Sequence, residues 1–329
     1  RFSKVLDTVT GISPSQFVPL AIVDRSGVDE SAHFGAVVCL GQNGDIEFSL
    51  GDPHTQIFPR SSTKPIQALA MVRSGLSLPA EKLALVCSSH NGEEIHQQTA
   101  LAILAEFGLD ETALGNTHAY PMLTESAHEA IRAGLPTSAL QMGCSGKHSG
   151  MVATCVINGW PLGNYLEQDH PLQQAITRTV AEVTGHDAFA IGIDGCGAPA
   201  HVVKLVGLAR AMRAMATGDA GDSGTQIYTA MSQFPYMVGG KGRDVTTIVS
   251  GINGLFAKDG ADAVYAAALS DGRAVALKIS DGYGRGTPTV LLAALQKLGV
   301  DITRVDNSIV EIVRGHGKPV GSVRAIGFD

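Results

Sequence analysis

Strand-forming segments occupy the two ends of this chain and helix-forming segments its middle, and that separation restricts the possible folds more than any single motif. Near the beginning, VPLAIVD (18–24), FGAVVCL (34–40) and IEFSL (46–50) have the β-branched and apolar character of strands, and a turn containing Asn43-Gly44 separates the last two. From about residue 62 to 235 the apolar spacing becomes helical, as in QQTALAILAEF, where Leu101, Leu104 and Phe107 are expected to share an inward face. A further helix follows Asp169, with Pro171 in its first turn, Leu172, Ile176, Val180 and Val183 on one side, and Gly185 as its stop. Strands return with VYAAAL (264–269) and AVALKIS (274–280), joined by the hairpin signal Asp271-Gly272. Thr287-Pro288 then opens a helix with Leu291, Leu292, Leu295 and Leu298 inward and Gly299 at its close, and IVEIVRG and SVRAIGF are expected as final strands. One segment, ATGDAGDSGT (216–225), is expected to be a mobile loop.

The pattern predicts a mixed α/β fold of the α+β type in a single domain, 1–329. An antiparallel sheet is built from both chain ends, approximately 1–60 and 240–329, with a mainly helical region, approximately 61–239, inserted between them. At 44% apolar content the chain can bury a large core, and the cleft between sheet and helices is the expected site. The formal charge of −7 and the absence of a Lys/Arg-rich run argue against a nucleic-acid partner. No apolar stretch approaches the roughly 20 residues of a membrane-spanning helix, and RFSKVLDTVTG lacks the apolar core of a secretory leader. A soluble protein is therefore expected, with no membrane partner and with Arg1 marking a trimmed N-terminus. Five scattered cysteines do not make a disulfide framework in a chain this long, so a reducing cytoplasm is the expected location.

Three segments carry candidate chemistry. In FPRSSTKPIQ (58–67), Ser61 and Lys64 stand at i and i+3, so on a first helical turn a hydroxyl and an amine would share a face at the positive end of the dipole. A plain capped helix start with a solvated lysine has the same spelling. CSSHNGEE contains the S-x-N triplet Ser89-His90-Asn91, which is also compatible with a capping serine and an Asn91-Gly92 turn. ALKISDG places Lys278 on a strand, sharing a face with Ala274 and Ala276 while Val275, Leu277 and Ile279 share the other. A lysine over a floor of alanines leaves room for a ligand, although an edge-strand charge is the plainer role. The order S-x-x-K, S-x-N, strand lysine near a glycine is that of the serine β-lactamases and penicillin-binding proteins.

GCSGKHSG and DGCGAP form a further pair, with Cys144 and Lys147 at i, i+3 and Asp194 two residues before Cys196. No C-x-x-C pair occurs in them, so spacing alone does not assign zinc, and buried inert thiols are the simpler reading. The glycines around both cysteines indicate backbone lying close to something.

Taken together, FPRSSTKPIQAL, CSSHNGEEIH, GCSGKHSGM, DGCGAP and ALKISDG resemble the asparaginase II family, the Rhizobium etli-type or class 3 L-asparaginases, over nearly the whole chain from RSGVDESAHFG to VRAIGF. The resemblance implies a fold like that of serine β-lactamases and glutaminases, a homodimer, and release of ammonia from L-asparagine. It also implies two Ser-Lys tandems, Ser61 with Lys64 and Ser89 with Lys278, and one zinc ion per chain on Cys144, Lys147, Cys196 and water. Arg60 and Asp194 are the candidates for the fixed charges facing the substrate's α-groups, with His90, Asn91 and Gly195 beside them. One departure stands in MVGGKGRDVTT, where Asp244 and Val245 replace the aromatic and the small or thiol residue expected after Gly-Arg.

The implied mechanism has Ser61 attack the side-chain amide, ammonia leave from an ester, and water hydrolyse that ester, with Lys64 taking the serine proton and backbone N–H groups near Ser61 holding the oxyanion. A free lysine holds its proton up to about pH 10.4, and roughly 4 kcal/mol is needed to release it at neutral pH. Two ammonium groups roughly 5 Å apart supply about 3 kcal/mol of that at an effective dielectric of about 20. Two other classes fit the same residues: a penicillin-interacting, β-lactamase-like or glutaminase-like serine amidohydrolase, and a non-catalytic zinc or amino-acid binding protein. The strand sequence Lys278-Ile279-Ser280-Asp281-Gly282 lacks the Lys-Thr-Gly or Lys-Ser-Gly of the penicillin-recognising enzymes.

Overall fold

Strands from the two ends of the chain pair with one another in the middle of a single sheet. The computed structural model describes residues 13–329, so RFSKVLDTVTG and the expectations attached to it lie outside the described residues. In chain order come β1 (Val18–Arg25), β2 (Val28–Leu40), β3 (Ile46–Leu50), the short β4 (Gln56–Ile57) and a 3₁₀ turn, Arg60–Thr63. Helices α1 (Lys64–Arg73), α2 (Ala80–Val86), α3 (Glu94–Glu106), α4 (Thr124–Arg132), α5 (Ser145–Asn158) and α6 (Pro171–Thr184) follow. Three short strands, β5 (Ile191–Ile193), β6 (Pro199–His201) and β7 (Val203–Lys204), precede α7 (Leu205–Thr217), α8 (Gly221–Gln233), α9 (Pro235–Val238) and α10 (Asp244–Gly251). The chain closes with β8 (Leu255–Gly260), β9 (Val264–Leu269), β10 (Ala274–Ile279), α11 (Thr287–Lys297), β11 (Ile312–Gly315) and β12 (Lys318–Ala325).

The main sheet has the order β11-β12-β1-β2-β10-β9-β8, with β3 added to β2, and all its pairings are antiparallel. Every residue of β9 and β10 is buried, because α11 packs on these strands from one side and α7 from the other. Cys39 Sγ faces the Ala294 carbonyl of α11 at 3.9 Å. Its cross-strand partner Val275 and the next-but-one Leu277 therefore look toward α11, whereas Ala276 and Lys278 look toward the inserted helices. Lys258 on β8 lies opposite Ala266, which lies opposite Ala276, so Lys258 and Lys278 project from the same face with β9 between them.

Local details depart from the sequence pattern in three places. The segment 216–225 is a tight helical corner and not a loop, since α7 runs to Thr217 and α8 begins at Gly221. Burial of Met212, Met215 and Ala216 on one side and Ile227, Ala230 and Met231 on the other carries helix through a Gly-, Asp- and Ser-rich stretch, and Gly218 and Gly221 turn it with φ of +87° and +77°. In α3 the inward face is His96, Ala100, Ile103 and Leu104, and Leu101 is 38% exposed, so the face is rotated by about one residue. The inserted region also holds small two-stranded pairs, β4 with β7 and β5 with β6, too short to show an alternation.

Candidate active site

Where the end of β8 meets the inserted helices lies a cavity of about 320 Å³, and Arg60, Ser61, Ser89, Cys144, Asp194 and Cys196 all reach it. A larger cavity of about 760 Å³, between residues 166–169 and the β5–β6 hairpin, contains no serine–lysine pair. The smaller one is the chemical site.

Lys64, the first residue of α1, is 1% exposed and sits beneath the floor. Its Nζ donates to Ser89 Oγ at 3.0 Å, to the Ser88 carbonyl at 2.5 Å and to Cys144 Sγ at 3.1 Å, which uses all three ammonium protons. Among the described residues no hydrogen bond joins Lys64 to Ser61, so the i, i+3 pairing read from S-x-x-K is not formed. Residues 60–63 are wound as a 3₁₀ turn, which leaves Ser61 on the cavity wall while Lys64 reaches across to the segment after α2. That segment is held by its backbone: Ser89 N–H donates to Val238 O, His90 N–H to Gly143 O and Asn91 N–H to Gly239 O. Of the two adjacent serines, Ser89 turns its hydroxyl to Lys64 and the cavity, whereas Ser88 Oγ is buried with no hydrogen-bond partner among the described residues.

The strand lysine is the second correction. Lys278 does not meet Ser89, because its Nζ is captured by the Asp262 carbonyl at 2.7 Å and by the Ile279 carbonyl. Lys258, one strand further toward the sheet edge, stands close enough to Lys64 for the two charges to interact. Its side chain is fully buried, and burial foremost, with the Lys64 ammonium adding, brings its pKa down to about 8. Asp259 opposes that shift, taking Lys258 Nζ on Oδ1 at 2.5 Å and Arg243 Nη2 on Oδ2 at 2.6 Å. Although burial alone would raise the Asp259 carboxyl, these two cations hold it well below the usual carboxylate range. Arg243 Nη1 also donates to the Ser89 carbonyl at 3.0 Å, tying the serine to this cluster. In sequence, Lys258 is recoverable from LFAKDG, where it alternates with Phe256 on one strand face; Arg243 follows a glycine run with no periodic signal.

On the opposite wall Arg60 Nε donates to Asp194 Oδ1 at 2.8 Å and its Nη1 to the Asp262 carboxylate. Gly195 N–H donates to Asp194 Oδ1 at 2.8 Å, and Gly195 also lines the cavity. A fixed cation and a fixed anion thus stand side by side at the mouth. His90 and Asn91 do not reach it. His90 is fully buried, stacked on His96 and bonded through Nε2 to Ser145 Oγ at 2.9 Å. Asn91 Nδ2 donates to the Lys241 carbonyl at 2.8 Å, holding the loop that leads to Arg243. Both are drawn away because the backbone bonds of residues 89–91 alternate between the Gly143 and Val238–Gly239 segments.

Below the floor two thiols converge. The Cys144 and Cys196 thiols act on one another, and Lys147 Nζ lies 3.1 Å from Cys196 Sγ, with all three residues buried. The neighbouring Cys144, with the Lys147 charge, holds the Cys196 thiol far below its ordinary range, while Cys196 and burial push Cys144 up. Burial works to lower Lys147, but the Cys196 thiolate outweighs it and raises it. Among the described residues no cluster of three His, Cys, Asp or Glu side chains forms, so a metal here would have to draw on two sulfurs and the lysine amine. Two soft sulfur donors and a nitrogen, already sharing a thiolate charge, fit zinc once the amine gives up its proton.

A family model described as L-asparaginase II matches residues 21–325. No curated protein matches the chain in sequence. Among solved structures, a β-lactamase from Mycobacterium bovis is similar at 15% identity and a TM-score of 0.43, covering 80% of this chain and 94% of that one. A putative β-lactamase from Bacteroides dorei is similar at 16% identity and a TM-score of 0.44, with coverage of 80% and 92%. Among the described residues no helix is long and apolar enough to cross a membrane.

Proposed function

The chain belongs to the L-asparaginase II family, and from that footing we propose that it is a serine amidohydrolase converting L-asparagine to L-aspartate and ammonia through an acyl-serine intermediate. The observation that carries this reading is the 3.0 Å bond from Lys64 Nζ to Ser89 Oγ at the floor of a cavity that Ser61 also lines. Ser61 is the attacking group. Its hydroxyl is more open than that of Ser89, which is 8% exposed and engaged by Lys64, and it stands at the start of the helical segment where the dipole favours a developing alkoxide.

The reacting form carries Lys64 as the neutral amine, one of its three protons having first left to solvent. Ser61 Oγ then forms the bond to the amide carbon as its proton passes to Ser89, whose own proton moves to Lys64. The pair then returns the proton to the amide nitrogen, the C–N bond breaks and ammonia leaves. Water attacks the ester by the same route in reverse and Ser61 regains its proton. Arg60 takes the α-carboxylate and Asp194 the α-ammonium, the charges the two side chains complement. Glutamine differs by one methylene, which discriminates by only about 1–3 kcal/mol, so some glutaminase activity accompanies the main one.

We further assign one zinc ion per chain to Cys144, Lys147 and Cys196. When bound it supplies positive charge that neutralises the thiolates. These three residues sit at the start of α5 and in the 194–197 turn, so their joint role is to order the loop carrying Asp194. A homodimer is the assembly implied by the family resemblance, and sedimentation equilibrium tests it.

The function is tested by a coupled ammonia assay on L-asparagine, with mass spectrometry of the quenched enzyme. The expected result is turnover that Ser61→Ala abolishes and Ser89→Ala lowers by several orders of magnitude, with the acyl adduct on the peptide containing Ser61. An adduct mapped to Ser89, or a Ser61→Ala variant with more than a few per cent of native activity, removes Ser61 from the role of nucleophile. L-Asparagine binding without ammonia release removes the enzyme reading.

A further inference from the structure

Lys278 is a buried cation that, among the described residues, forms no ion pair. Its Nζ donates instead to the Asp262 carbonyl at 2.7 Å and to the Ile279 carbonyl. Asp262 lies in the turn between β8 and β9, where it and Ala263 adopt left-handed backbone with φ of +56° and +59°. Such a conformation disfavours an L side chain and persists only when the surroundings hold it. Here the Lys278 amine holds one carbonyl of the turn, and the Ile279 N–H holds the other, Ala263 O, at 3.0 Å.

The strained turn has a use. The Asp262 carboxylate accepts from Arg60, whose φ of +54° makes it left-handed as well, so three of the five non-glycine residues of that kind among the described residues stand around one ion pair. The Asp262 side chain is 59% exposed, and an ion pair that open directs Arg60 only if its carboxylate is held in place. The pinned backbone from which Asp262 projects supplies that hold.

We propose that Lys278 is a positioning residue for substrate binding: by pinning the Asp262 turn it fixes Arg60 in the orientation that receives the substrate's α-carboxylate. The inference rests on the assignment of Arg60 to that carboxylate.

The test compares L-asparagine with 3-aminopropanamide, the same amide without the α-carboxylate, and measures L-aspartate binding by calorimetry. Lys278→Met and Asp262→Ala are each expected to raise KM for L-asparagine about tenfold with kcat within about twofold of native. The double variant is expected to show the same tenfold rise, because both changes cut one linkage. Turnover of 3-aminopropanamide stays at its native level in all three, and Lys278→Arg, which keeps a donor, recovers part of the loss. Should Lys278→Met fail to fold, Lys278→Gln and Asp262→Ala carry the comparison.

Two results overturn the inference while leaving the substrate reading intact. One is a folded Lys278 variant with native KM in a protein whose Arg60→Ala form no longer binds L-aspartate. The other is an equal loss for both amides, which marks general disorder of the sheet end. An Arg60→Ala variant that binds L-aspartate normally removes the substrate assignment itself, and this inference with it.

Discussion

Asp259→Asn isolates the charge cluster behind the serines. In the native protein one carboxylate stands between Lys258 Nζ at 2.5 Å and Arg243 Nη2 at 2.6 Å, with side-chain exposures of 0% and 19% for the two cations. Coulomb's law at an effective dielectric of about 20 gives roughly 6 kcal/mol of attraction for each contact, before desolvation is set against it. Removing one member of a buried pair typically destabilises by about 3–5 kcal/mol, because the partners stay buried without an anion. The loss also depends on pH. Lys258 titrates at about 8 in the folded protein, below its unfolded value near 10.4, so its contribution to stability grows as pH rises through that interval, where the unfolded chain binds more protons. Asp259 works to raise the Lys258 pKa, and without it the amine becomes neutral at lower pH, so the variant recovers ground on the native protein as pH climbs. Urea denaturation at pH 6 and pH 9 measures both effects. A loss of about 3–5 kcal/mol at pH 6 that shrinks clearly by pH 9 is expected; a loss under about 1 kcal/mol, or one unchanged between the two pH values, refutes the cluster as the support of this site.

Asp244 is pushed up to about 6, by burial first and the Asp259 charge second, so its contribution to stability is complete below about pH 4 and is lost as pH rises through about 6. Asp244→Asn is therefore expected to be more stable than native by about 1–3 kcal/mol at pH 8 and equal to it near pH 4, as thermal melts at the two pH values will report. At Gly260 an added Cβ would lie 2.4 Å from the Pro59 carbonyl and 2.8 Å from Ser62 Oγ. Gly260→Ala should push β8 off the turn that carries Arg60 and Ser61, lowering kcat/KM at least about tenfold and stability by about 1–3 kcal/mol, and native kinetics in that variant would show the contact to be slack. Protein purified without chelator should carry about one zinc per chain by elemental analysis, and Cys196→Ser should carry almost none; full metal content in that variant would move the site elsewhere.

The sequence by itself determined the frame of the protein. Alternation in AVALKIS and helical spacing in 171–185 and 287–299 are local properties of the chain, and the elements form where those patterns stand. Strands at both ends and helices between them also left little choice but one sheet shared by the two ends, with β1 and β12 as neighbours. That Ser61, Ser89, Cys144, Asp194 and Cys196 belong to one site was implied by the family resemblance their motifs carry and not by their spacing, and all five reach one cavity. Tertiary structure decided the pairings. Lys64 at i+3 from Ser61 meets Ser89, because a 3₁₀ turn sets the direction of a long, flexible side chain and a remote segment supplies its acceptors. Lys258 and Lys278 project from one face of the same sheet, and their partners distinguish them: Asp259 takes Lys258, whereas carbonyls around the Asp262 turn capture Lys278. His90 and Asn91 turn inward for a similar reason, since their backbone is gripped by segments some 50 and 150 residues away, where no local pattern reaches.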